Sequence, residues 1–159
     1  MVTSPAGHQA PKRRWHGVMN WPETNVALFA FLLNLPWEMW QIPLFKGTSS
    51  LAHWDGVVMC TRATAGDAVI ALCAFWLVAV LARTRSWIRR PSGTALGAFV
   101  AIGLVVTIAL EYWATQIGGR WEYAEAMPRL PLLGTGLAPL LQWLLIPPLV
   151  AWLVRRQIP

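Results

Sequence analysis

Apolar residues run through the chain in four long stretches, over residues 25–45, 67–82, 94–113 and 132–154, separated by short polar segments. At about 1.5 Å per residue, a helix of about 20 residues covers the roughly 30 Å hydrocarbon core of a bilayer. Stretches of this length, with few charges, predict an all-α polytopic membrane protein built as a four-transmembrane-helix bundle. Pro36 and Pro43 in the first stretch, and Pro139, Pro147 and Pro148 in the fourth, each remove a backbone donor and predict Pro-kinked helices. The segment 1–22 is polar and contains Lys12, Arg13 and Arg14, which predicts a flexible basic tail. Residues 23–159 then form one transmembrane domain. A cleaved signal peptide fits poorly, because the first apolar run is too long, contains Glu38 and shows no small-residue cleavage site.

The polar residues inside these stretches are patterned. Asn34, Glu38 and Gln41 are spaced i, i+4, i+7, which puts them on one helix face. Cys60, Thr64 and Asp67 repeat that spacing. The segment 46–66 reads as a loop or re-entrant piece, and the repeat allows the second helix to begin near Gly56. Thr107 and Glu111 share a face of the third stretch, and Gln142 lies inside the fourth. Gly93, Gly97 and Ala101 form a small-residue stripe of the kind that lets another helix approach closely.

Composition supports the membrane reading. The chain is 56% hydrophobic and only 13% charged, against about 25% charged in an ordinary soluble domain. Its eleven Trp suggest interfacial anchors. The net charge of +6 is no nucleic-acid footprint, because the basic residues sit in short runs between the apolar stretches. Nine of them fall in the tail, in the segment 83–90 and at the C-terminal end; only Lys46, Arg62, Arg120 and Arg129 fall on the other side. The positive-inside rule then places both termini in the cytoplasm with an even number of spans.

That topology brings Glu38, Asp67 and Glu111 into the outer half of the membrane. A carboxylate at membrane depth is costly unless it faces the bundle interior, water or a partner, so it marks a candidate site. The expected site is an outward-opening polar pocket with Glu38, Asp67 and Glu111 as acid/base groups. Asn34, Gln41, Arg62, Thr64, Arg120 and Gln142 would line it, with Thr107 nearby. Trp37, Trp40, Trp113, Trp121 and Tyr123 would form aromatic walls. The structural alternative is that the acids pair with Arg62, Arg120 and one another and only fix helix register. His53, Asp55 and Cys60 match no standard zinc spacing. There is no Gly-rich phosphate loop and no CxxC, so neither metal nor cofactor is expected.

Beyond these patterns, the chain resembles small bacterial inner-membrane proteins with four spans. The matching pieces are Asn34 with Glu38, Cys60 leading to Gly66-Asp67, Glu111, and Gly119-Arg120-Trp121 with Tyr123 and Met127-Pro128. The last block runs from Gly134-Thr135-Gly136 through Pro139 and Gln142-Trp143. The resemblance implies a bacterial inner-membrane location and implies that the polar cluster and the third loop belong together. It brings no substrate. The expected function is binding of, and acid/base chemistry such as isomerisation or cyclisation on, a lipid or isoprenoid-like molecule. Membrane lipids are the expected partners. The rivals are a subunit or assembly factor of a larger membrane complex, a homo-oligomer, or a proton or ion transporter.

Overall fold

A computed structural model describes residues 15–18, 20–131 and 134–158 of the chain. Most of the basic tail expected over 1–22, and the first residues of the fourth apolar stretch, lie outside the described residues. A short helix α1 (Trp15–Val18) is followed by four long ones: α2 (Pro22–Gln41), α3 (His53–Leu81), α4 (Gly93–Tyr112) and α5 (Leu137–Gln157). Trp113–Ile117 extend α4 by one wide π-helical turn. Among the described residues the only β pairing is two isolated bridges, Phe45 with Tyr123 and Arg129 with Gly136.

Local chemistry explains most helix ends. Pro22 occupies the first turn of α2, where its missing N–H costs nothing, and Glu23 there favours the positive end of the helix dipole. The Ser92 hydroxyl caps α4 by accepting from the Ala95 N–H at 3.1 Å. Pro139 falls in the first turn of α5. The segment after α2 turns through a 3-10 turn, Ile42–Leu44, that contains Pro43.

Two expectations need correction. The second helix does not start at Asp67: it starts at His53, so the segment expected as a loop or re-entrant piece shrinks to residues 46–52. Cys60 and Thr64 are buried, and packing of that face outweighs the weak helix preference of Gly56 and Gly66. Nor does Pro36 end its helix, since α2 runs past it to Gln41, and α5 runs through Pro147 and Pro148. A single lost backbone bond does not outweigh a buried face.

The four long helices alternate in direction. The Arg85 guanidinium, just after α3, meets Glu23 at the start of α2 at 2.7 Å, while Phe45 beyond the far end of α2 pairs with Tyr123 beyond α4. Helix α2 packs on α3 and α5, and α4 packs on the same two. The shared core at the Arg85 end is dry. Phe75, Trp87 and Phe99 stack in series at 5.7 and 5.5 Å between ring centroids, and the Trp87 indole N–H donates to the Phe75 carbonyl at 3.2 Å. Val78, Ile88, Val150, Val154 and Ile158 close this end. Outward-facing residues are apolar too, among them Leu32, Val69, Leu77, Val105, Leu145 and Leu149.

Three helices, spanning His53–Leu81, Gly93–Ile117 and Leu137–Gln157, are long and apolar enough to cross a membrane. Helix α2 carries the polar face and is not among them.

The small-residue stripe is not where α4 meets α5. Gly93 and Gly97 have no neighbour within 4 Å of a built Cβ, whereas a Cβ on Gly103 would lie 2.0 Å from the buried Trp143 ring. Gly103→Ala should therefore destabilise the protein by about 1–3 kcal/mol through overpacking, and Gly97→Ala should leave it unchanged. Thermal unfolding in mild detergent checks this. Equal melting of the two variants would refute the packing at Gly103.

Candidate functional site

At the end of the core away from Arg85 the packing turns polar, and the side chains responsible come from four helices. Helix α2 brings Asn34, Glu38 and Gln41 on one face, as their spacing requires. Helix α3 brings Cys60, Thr64 and Asp67, α4 brings Thr107 and Glu111, and α5 brings Gln142.

Gln142 is the junction. Its buried amide nitrogen donates towards Asn34 Oδ1 at 2.8 Å, Glu38 Oε1 at 2.9 Å and Asp67 Oδ2 at 3.0 Å. An amide nitrogen has two hydrogens, so three oxygens on two other helices share two donors. Asn34 is held in place by its own amide, which donates to the Ala30 carbonyl at 2.8 Å and leaves Oδ1 facing Gln142. Gln41 adds a second donor to Glu38 Oε1 at 2.8 Å. Glu38 and Asp67 therefore present oxygens no more than two hydrogen-bond lengths apart.

Glu111 completes the acidic set from the side. It lies within electrostatic range of both Glu38 and Asp67 and is held by the third loop. The Tyr123 hydroxyl donates to Glu111 Oε2, and the Trp121 indole N–H reaches the same oxygen at 3.4 Å. Backbone bonds fix that loop over the end of α2: the Ala124 N–H donates to the Leu44 carbonyl, and the Lys46 N–H to the Glu122 carbonyl, both at 2.9 Å. Tyr123 and Met127 close on Gly136, where an added Cβ would sit 3.0 and 2.9 Å from them. This explains the glycine just before α5.

The arginines behave differently from expectation. Arg62 is exposed and makes no ion pair among the described residues, because two positions from buried Thr64 on a helix is nearly the opposite face. Arg120 is also exposed and stacks over the Trp113 ring at 5.1 Å. Neither neutralises an acid, so the arginine pairs of the register-fixing alternative do not form, while the cross-helix contacts of Glu38 and Asp67 through Gln142 are of the kind that fix register. Arg129 instead donates to the Tyr123 carbonyl at 3.1 Å. Trp37 is half-buried and meets Trp40 edge-on at 5.5 Å. His53 and Asp55 are exposed, and no group of three His, Cys, Asp or Glu side chains that could hold a metal occurs among the described residues.

Several buried polar atoms around the carboxyls have no partner: Gln41 Oε1, Thr64 Oγ1, Thr107 Oγ1 and Trp37 Nε1. Beneath Asn34 and Gln142 lies a cavity of about 10 Å³ floored by Ala71, Phe99, Trp143 and Ile146, space for about one water. Glu38, Asp67 and Glu111 are half-buried as whole residues, and the floor below them is closed.

Sequence patterns placed every carboxyl of this cluster, but no local signal marks Gly103 as the contact for Trp143. Cys60 is buried on the same face as Thr64, whereas Cys73 is exposed. Comparisons with protein-family models, curated proteins and solved structures returned no match.

Two measurements probe this geometry. Gln142→Leu removes the shared donor and leaves buried acceptors unmet, and should cost about 1–3 kcal/mol in detergent unfolding. Melting at the wild-type temperature would show that the junction contributes nothing. Burial, and then the bond to Glu111, pushes the Tyr123 phenol well above its ordinary range. Because the folded value is raised, its stabilising contribution is whole below about pH 10 and is lost as pH rises through the folded value. Ultraviolet titration should therefore leave one of the two tyrosines un-ionised until the protein unfolds. Ionisation of both in the folded protein would contradict the Tyr123 contact.

Proposed function

We propose that the chain is a four-span bacterial inner-membrane protein with both termini cytoplasmic, whose polar centre binds a lipid or isoprenoid-like apolar molecule and acts on it by acid/base chemistry. The observation that carries this reading is the meeting of Glu38 and Asp67 on the single Gln142 nitrogen, with no basic side chain among the described residues paired to either. Two carboxyls in so close a pair can hold one proton between them, one group then being a donor and the other an acceptor. Moving a proton on and off an apolar substrate, as isomerisation or cyclisation requires, needs such a pair within reach of the reacting carbon. Glu111, oriented by Tyr123, would be the third acid of the site.

Depth supports the same reading. At about 1.5 Å per residue, Glu38, Asp67, Glu111 and Gln142 lie roughly 21–29 Å along the chain from the ends marked by Glu23, Arg85, Ser92 and Arg156. With those ends at the cytoplasmic boundary of a core about 30 Å thick, all four fall in its outer third. Helix α2 would span despite its polar face, because that face is turned inward while Leu28, Leu32, Met39 and Trp40 stand exposed. A transport path is disfavoured by the closed apolar floor under Gln142. The exposed Gly93 and Gly97 favour, as a second reading, contact of α4 with another membrane subunit or a second copy.

Glu38→Gln and Asp67→Asn keep size and hydrogen bonding but remove the proton. Each should shift the cellular lipid profile read by mass spectrometry while protein levels stay normal. Unchanged profiles at normal levels would sink the catalytic reading. A larger partner surviving native purification would then favour the subunit.

A further inference from the structure

At the opposite end of the molecule α3 closes in an unusual way. The Arg83 N–H donates to the Val80 carbonyl at 3.1 Å and the Thr84 N–H to the Ala79 carbonyl at 3.0 Å, which places Arg83 at the left-handed position of a helix C-cap, with φ of +52°. Glycine is the residue that adopts this conformation without strain. Arg83 is the single non-glycine residue with positive φ among the described residues, so the fold alone does not explain an arginine there.

Arg83 borders an open groove of about 340 Å³ lined by Trp76, Ala79, Val80, Arg83, Thr84 and Arg85. The second arginine is committed: its Nε and Nη2 both reach Glu23 Oε1 at 2.7 Å, and its guanidinium lies 5.3 Å from the Trp76 ring centroid. Arg83 is exposed and makes no ion pair among the described residues. Among the described residues Glu23 is the only acid at this end, against Arg83, Arg85, Arg89, Arg90, Arg155 and Arg156. The groove opens beside Leu77, Val80 and Leu81, which are exposed and apolar.

We infer that this groove is a binding site for the headgroup of an anionic phospholipid of the inner leaflet. The Arg83 guanidinium would take the phosphate, the Thr84 hydroxyl would donate to it, and Trp76, Ala79 and Val80 would cover the start of an acyl chain. The partial negative charge at the helix end opposes an anion, but it is about half a unit charge against the full charge of Arg83. A zwitterionic lipid is selected against, because its ammonium would meet the unpaired Arg83 guanidinium. The inference rests on the membrane placement proposed above and is independent of the acidic centre at the other end.

The test is native mass spectrometry of the full-length protein from mixed phosphatidylglycerol and phosphatidylcholine, with Arg83→Gly and Arg90→Gln as variants. The wild type should retain phosphatidylglycerol over phosphatidylcholine by about fivefold or more, the effect of one basic residue at an anionic surface. Arg83→Gly relieves the backbone and removes the charge, so it should melt no lower than the wild type and lose the preference. Arg83→Asn, also compatible with the left-handed backbone, is read the same way if the glycine variant fails to fold. Arg90→Gln should keep the preference. A wild type without preference, retention in Arg83→Gly, or equal loss in Arg90→Gln overturns the site. Because Glu38 and Asp67 are untouched, a change in lipid chemistry in cells reports on the other proposal alone.

Discussion

Three oxygens from two helices converge on one amide nitrogen of a third, and the polar half of the molecule is organised by that shortage of donors. Gln142 has two hydrogens for Asn34, Glu38 and Asp67. In an apolar interior each unmet acceptor carries a desolvation cost, so the three side chains are held to a small set of positions and their helices with them. Asn34 is fixed further by Ala30, and Glu38 by Gln41. The acids are positioned by amides rather than by arginines, which leaves their charge uncompensated by the protein.

The rest of the structure separates that centre from its opposite end. Between the polar junction and the arginines stands a dry stack of Phe75, Trp87 and Phe99, closed by aliphatic residues from α3 and α5. The third loop performs the matching task on the other side. Tyr123 reaches in to Glu111, and the loop backbone is tied to residues 44–46. Trp121 and Tyr123 are thus attached to the site as well as to the surface, a double role that aromatic residues with a polar tip can fill.

The two proposals divide along the same line. Acid/base chemistry draws on the one region where carboxyl groups meet without a counter-charge. Lipid headgroup binding draws on the end where arginines outnumber acids and one of them occupies a backbone position suited to glycine. Each uses a feature that folding alone does not require: unpartnered Gln41 and Thr64 oxygens at one end, a positive-φ arginine at the other.

Much of this was legible in the residues. Period and length show helices, and the i, i+4, i+7 spacing of Asn34, Glu38 and Gln41, and of Cys60, Thr64 and Asp67, puts each set on one face because helix geometry leaves no alternative. The spacing of Cys60, Thr64 and Asp67 allows α3 to begin near Gly56, and the structure carries it three residues further, to His53. Which residues meet across helices could not be read at all. Arg62 was expected at the acids but points away, Gly103 rather than Gly97 meets another helix, and Gln142 rather than an arginine holds the carboxyls. Spacing along a helix determines what shares a face. Only packing in three dimensions decides what that face touches, because rotations of a helix by one position change its partners while leaving its periodicity intact.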